Sequence, residues 1–155
     1  MPVHNHFVVD PQTRLPSGPA LAEHGPRLQV EISLHPTLVQ HLQTQGQAVP
    51  APVIGAALID TGATISAVDT TLVVQPLQIQ PIGSVQVGTA GGPQTQHQYP
   101  ASFGFPGTRL PGINFNFVIG CNLTGQGIIA LIGRDVLRHF VMVYNGVLGQ
   151  VILSL

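Results

Sequence analysis

The chain has 155 residues, 44% of them apolar and only 7% charged against roughly a quarter in ordinary soluble domains, which suits one well-filled core and argues against two domains. Five basic and six acidic side chains leave a formal charge of -1, so no cationic field exists to hold nucleic acid, and a lone cysteine, Cys121, excludes an internal disulfide and a cysteine-based zinc site. No apolar run reaches the roughly 18 residues of a membrane span, and residues 1–14 lack the basic start and apolar middle of a signal peptide, so the cytoplasm is the default expectation.

Eighteen glycines and 14 prolines among many Val, Ile and Thr predict short strands punctuated by turns. Residues 1–27 hold three histidines, five prolines and few large apolar side chains, and are expected to form a flexible arm ahead of a domain over 28–155. His4 and His6 stand at i, i+2 without a third ligand, so no metal site is expected there. Leu28, Val30, Ile32 and Leu34 alternate with polar residues as a half-buried strand requires. In the Gln- and Pro-rich stretch that follows, Leu38, Val39 and Leu42 mark one helical turn, and 46–52 is loop.

Residues 53–59 form an apolar run of strand length ending at Asp60, after which Thr61-Gly62-Ala63 must turn sharply. A second extended segment follows at 65–68, and Asp69 caps a short helix that Pro76 is expected to end. Residues 82–87 alternate again, pass through the glycine-rich tip Gly88-Thr89-Ala90-Gly91-Gly92, and return over 94–103 as a hairpin. Two more strands are predicted at 113–119 and 128–132. Gly133-Arg134-Asp135 then leads into one or two helical turns over 136–140, and the Asn145-Gly146 turn signal joins 141–144 to 147–155 as a closing hairpin.

Asp60-Thr61-Gly62 alone is a weak signal. Its context is stronger: the tripeptide closes an apolar strand, a glycine-rich hairpin follows, and Ala130-Leu131-Ile132-Gly133-Arg134-Asp135-Val136-Leu137 comes later. In that order the D-T-G-A turn, the V-G-T-A-G-G tip and the I-G-R-D-x-L segment resemble retropepsins, the retroviral-type aspartic proteases, and the bacterial single-domain proteins similar to them, over about residues 28–155. The resemblance implies an all-β subunit, a closed barrel with a flap hairpin and one short C-terminal helix. It also implies a two-fold homodimer that hydrolyses peptide bonds in extended polypeptides without metal or cofactor.

That chemistry needs one carboxylate as base and one carboxylic acid as proton donor. A chain with one D-T-G supplies the second from a twin across a two-fold axis. On the resemblance, Asp60 is the catalytic acid/base, and Thr61 hydrogen-bonds across the axis. Gly62 permits close backbone approach and turns its carbonyl to the substrate. Leu58, Ala63, Thr89, Ala90, Gly91, Gly92, Ile129 and Leu131 would contact an extended peptide, with an apolar preference on either side of the cut. Arg134 and Asp135 would be structural. Thr64 stands where viral members often carry an Asp that pairs with the Arg, leaving Arg134 to find another partner, for which Asp69 is the candidate. Because chain ends interleave between subunits in retropepsins, residues 147–155 are expected in both core and dimer sheet. A catalytically silent dimeric peptide-binding or scaffold module of the same fold is the alternative, which the Gln-rich loops and Thr64 leave open. An unrelated β domain carrying Asp-Thr-Gly by accident is the third.

Overall fold

The computed structural model describes residues 2–89 and 91–155, and strands dominate it. In chain order these are β1 (Val3–Phe7), β2 (Arg27–Leu34), β3 (Val53–Ile59), β4 (Ala67–Asp69), β5 (Gly83–Thr89), β6 (Gly92–Gly104), β7 (Ile113–Cys121), β8 (Ala130–Ile132), β9 (Val141–Asn145) and β10 (Gln150–Ser154). Among the described residues four α-helices and one π-helical segment interrupt them: α1 (Gly18–His24), α2 (Pro36–Thr44), the π-helical segment Thr70–Val74, α3 (Gln75–Leu77) and α4 (Arg134–Leu137).

The larger sheet runs β2-β3-β8-β4-β7-β6-β5. Period-two alternation buries Leu28, Val30, Ile32 and Leu34 on one face of β2. That strand pairs antiparallel with β3 from Arg27↔Leu58 to Ile32↔Val53, and its far end pairs with β6 from Glu31↔Gly104 to Leu34↔Ala101. The ladder of strands therefore returns on itself through β6. β3 and β8 run parallel, and so do β4 and β7, while β4 and β8 are antiparallel. Residues from β2, β3, β4, β6, β7 and β8 fill one core, where Phe103 and Phe115 meet edge to face at 5.0 Å.

Beside the short C-terminal helix that the resemblance implies, α1 and α2 add two longer helices. Ser17 caps α1 by accepting from the Ala20 N–H (3.2 Å), and Pro19 lies in its first turn, where a missing N–H breaks nothing. In α2 the predicted Leu38, Val39 and Leu42 do pack on the core, but the helix extends to nine residues. Its other positions are mostly Gln, His and Thr, which carry no apolar periodicity to reveal its length. Asp69 caps as predicted, accepting from the Thr71 and Leu72 N–H groups. The helical stretch then passes through Pro76, which sits in the first turn of α3, and stops at Gln78 with φ +54.

Residues 1–27 are expected as a loose arm, but residues 2–27 pack on the rest. β1 pairs along β10 in a smaller sheet of order β1-β10-β9, and Leu21 of α1 is fully buried in the main core. Sparse apolar composition understated this segment because backbone pairing and two buried positions, Ala20 and Leu21, do the anchoring. The closing hairpin also differs from its turn signal. Asn145 pairs with Gln150, so four residues form the loop, and the positive φ falls on Gly149 (+63). A Cβ there would stand 2.5 Å from the Ser17 carbonyl oxygen, so this close approach requires glycine. Among the described residues no helix is long and apolar enough to cross a membrane.

Replacing Leu21 by Ala should lower the unfolding free energy by about 2–5 kcal/mol in urea melts, as loss of a fully buried leucine does. Leu15→Ala, at a position 65% exposed, should change it by less than about 0.5 kcal/mol. Equal effects would mean that α1 does not share the core.

Candidate active site

The parallel ladder of β3 and β8 extends one residue beyond the strands, since the Asp60 N–H donates to the Ile132 carbonyl (2.9 Å). Asp60 then turns the chain with its own side chain. Its Oδ1 accepts from the Gly62 N–H (2.8 Å) and the Ala63 N–H (3.3 Å), and its carbonyl also accepts from Ala63 (3.2 Å). A Cβ on Gly62 would lie 3.0 Å from Asp60 Oδ1, so glycine suits the turn. Asp60 itself is half-buried, with Thr61 and Gly62 exposed.

β8 ends beside this turn, and Gly133 is the joint. A Cβ on Gly133 would come within 2.8 Å of the Ile65 carbonyl carbon, so only glycine lets the two backbones meet. The Arg134 N–H donates to the Ala63 carbonyl (2.9 Å) and the Asp135 N–H to the Thr64 carbonyl (3.2 Å). The Arg134 guanidinium reaches the Thr61 carbonyl (2.6 Å) and Thr64 Oγ1 (2.8 Å). Asp69 is therefore not its partner. That carboxylate is fully buried and accepts from three backbone N–H groups, those of Thr71 (2.8 Å), Leu72 (2.7 Å) and Leu123 (2.6 Å). The Asp135 carboxylate accepts from the Ser66 N–H (2.9 Å), the Ser66 hydroxyl (2.7 Å) and the Val136 N–H (2.9 Å), and Ser66 Oγ accepts from the Gly133 N–H (3.0 Å). Ser66 is fully buried at the centre of this knot. Sequence reasoning missed it, because nothing local distinguishes one serine before a short strand.

Asp60 borders two cavities. The larger, about 880 Å³, lies between the turn and the β5/β6 hairpin, and Gly62, Ala63, Thr89 and Leu131 of the predicted residues line it. Gln86, Gln96, Ile119 and Cys121 also line it and had no sequence signal of their own, since β7 reaches the site only through pairing with β4. Asp60 is the one carboxylate in that lining. The smaller cavity, about 420 Å³, is formed by Pro26, Ile59, Asp60, Thr61, Met142 and Tyr144. Leu58 and Ile129 line neither. Leu58 packs toward Gly25 and Ile129 toward Gly55. Thr89 Oγ1 donates to the Gly92 carbonyl (2.7 Å) and accepts from the Gly91 N–H (3.3 Å), which places Gly91 and Gly92 at the hairpin tip, outside both linings. Ala90 lies outside the described residues. A further cavity of about 870 Å³, between α2 and residues 76–82, has His41 but no carboxylate. Among the described residues no group of three or more His, Cys, Asp or Glu is arranged to hold a metal, and the His4 and His6 rings stack at 6.1 Å.

No protein-family model matches the chain, and no curated protein matches it. Among solved structures it is similar to EIAV protease complexed with the inhibitor HBY-793, at 19% identity and a TM-score of 0.49, over 74% of this chain and 86% of that one. The chemistry has to come from this chain's own residues.

Cys121 shares the larger cavity with Asp60 but is no nucleophile. Burial first and the Asp69 charge second push its thiol from 9.0 up to about 11, so the inert thiol persists at neutral pH. At pH 8 its alkylation by iodoacetamide should run on the order of 100-fold slower than in the unfolded chain, given thiols at about 11 and 9.0. The folded value is the higher one. Its contribution to stability is therefore whole below pH 9.0 and is lost as pH rises toward about 11, and Cys121→Ala should flatten urea-melt stability across that window. Folded-state labelling as fast as in denaturant would overturn this placement.

Proposed function

We propose that the chain is one subunit of a homodimeric aspartic endopeptidase of the retropepsin type, with the Asp60 carboxylates of two copies as its acid/base pair. One observation carries the reading. A half-buried carboxylate, fixed through one oxygen in a D-T-G-A turn, borders a cavity of about 880 Å³ whose lining has no second carboxylate. Acid/base hydrolysis needs that second group, and a two-fold axis beside Asp60 supplies it.

The pair holds one proton because two carboxylates in contact do not both ionise. The ionised member takes a proton from water, and the resulting hydroxide attacks the scissile carbonyl carbon. The protonated member gives its hydrogen bond to the carbonyl oxygen as that oxygen becomes negative. Collapse of the tetrahedral intermediate breaks the C–N bond, and the amine leaves with a proton from the pair. Arg134 keeps Thr61 in position for its contact across the axis, so it is a positioning residue. Ala63, Ile65, Ala67, Ile119 and Leu131 give the cavity an apolar floor, which favours apolar side chains flanking the cut. Gln86 and Thr89 of β5 belong to the hairpin that acts as the flap over an extended peptide.

Asp60→Asn keeps the volume and removes ionisation, so cleavage of a fluorogenic peptide set with apolar residues at the cut should fall by about a thousandfold or more. The melting temperature should stay equal or rise, as two adjacent carboxylates no longer repel. Specific activity of the parent should fall on dilution. Retained cleavage by pure Asp60→Asn protein refutes the assignment.

A further inference from the structure

β1 carries its amphipathic pattern inside out. Its register on β10 sets His4 opposite Leu153 and His6 opposite Val151, and directly opposed residues of an antiparallel pair share one face of the sheet. Leu153 and Val151 are buried, so the two imidazoles stand on the inward face, while Val3 and Phe7 turn outward at 52% and 40% exposure. Packing alone would favour the opposite order, and a reversal of this kind is expected where a position serves function rather than burial.

The imidazoles face a small polar cavity. It has a volume of about 220 Å³, against roughly 30 Å³ for one water, and its lining includes His4 and His6 of β1 with Arg27 and Gln29 of β2. Leu28 and Val30 lie on the buried face of β2, which puts Arg27 and Gln29 on the other face, toward β1. Backbone carbonyls anchor the Arg27 guanidinium, since Nε donates to His24 (3.0 Å) and Nη2 to Gln126 (3.3 Å), and these bonds leave the Nη1 hydrogens for another acceptor. β3 and the segment after β6 bring Ala56, Pro106 and Thr108, none of them charged, and the Thr108 hydroxyl already donates to the Phe105 carbonyl (2.7 Å). Three basic side chains therefore border one space whose lining has no carboxylate. His4 is half-buried and His6 exposed, which leaves a way in from solvent.

We infer that this cavity binds a small tetrahedral oxyanion, either a free ion such as phosphate or the phosphate group of a monoester, between β1 and β2. Arg27 supplies the permanent positive charge, the imidazoles add charged donors when protonated, and the Gln29 amide adds a neutral one. Burial first and the His6 charge second hold the His4 imidazole below its usual value. An anion favours the protonated form instead, so binding takes up a proton and tightens as pH falls. A bound ion would tie β1 to β2 and offset the reversed face of the strand. None of these four side chains lines either cavity at Asp60, so the site is independent of the acid/base pair.

Sulfate is the probe, because it keeps its double charge from pH 5 to 8 and leaves only the protein to titrate. Added to the full chain at constant ionic strength, it should shift the His4 and His6 imidazole NMR signals saturably and leave those of His35 and His41, at α2, unmoved. Its affinity should be about tenfold or more higher at pH 5.5 than at pH 7.5. His6→Gln, at an exposed position, should keep the circular dichroism and weaken sulfate about tenfold at pH 5.5. Arg27→Gln should abolish saturation, and Arg27→Lys should restore part of it. Methyl phosphate bound more tightly than inorganic phosphate assigns the site to monoesters, the reverse order assigns it to the free ion, and either supports an oxyanion site. Shifts that never saturate, equal affinity at the two pH values, or unchanged binding by folded His6→Gln protein overturns the proposal and leaves an adventitious ion only.

Discussion

The parallel exit of β3 and β8 from the sheet is the constraint on which the candidate site depends. Parallel neighbours end on the same side, so the turn after Ile59 and the turn after Ile132 must share one small space. Gly133 makes that possible by having no side chain where Ile65 passes, and the Ser66 hydroxyl then joins the Gly133 N–H to the Asp135 carboxylate. Buried polar groups that are fully partnered hold one arrangement, because any other leaves a donor or acceptor without water. The Asp60 turn inherits its position from this knot through the backbone bonds of Ala63 and Thr64 to Arg134 and Asp135.

Charge at the site is sparse, and each carboxylate has a different fate. Asp69 and Asp135 each accept three hydrogen bonds, which ties both to structure. Asp60 is engaged through Oδ1 by its own turn and borders open space on two sides. This difference in partners is what the proposed assignment of Asp60 as the acid/base group rests on. Arg134 contacts neutral oxygens of Thr61 and Thr64 and so braces the turn.

The three-stranded sheet is self-contained in a way that interleaved chain ends would not be. β1 covers one edge of β10, and Val151 and Leu153 are buried against the main core. The outer edges of β1 and β9 stay open among the described residues, and the exposed Val141 and Val143 of β9 have no role in the subunit's own core.

Sequence periodicity determined β2, the β5/β6 hairpin, β7 and the Asp69 cap, because each depends on residues adjacent in the chain and on the two-residue pleat. The Asp60 turn was legible for the same reason: its bonds span only two or three residues. The length of α2, the anchoring of residues 2–27 and the four-residue loop at Gly149 were not legible, since they depend on what packs from elsewhere, as Ser17 does against Gly149. Only tertiary structure brought Ser66 within 2.7 Å of a carboxylate 69 residues away, set Ile119 and Cys121 into the cavity beside Asp60, and took Leu58 and Ile129 out of it. Strand pairing decides such distances, and the partner of a strand is chosen by the shape of the whole core rather than by its own residues.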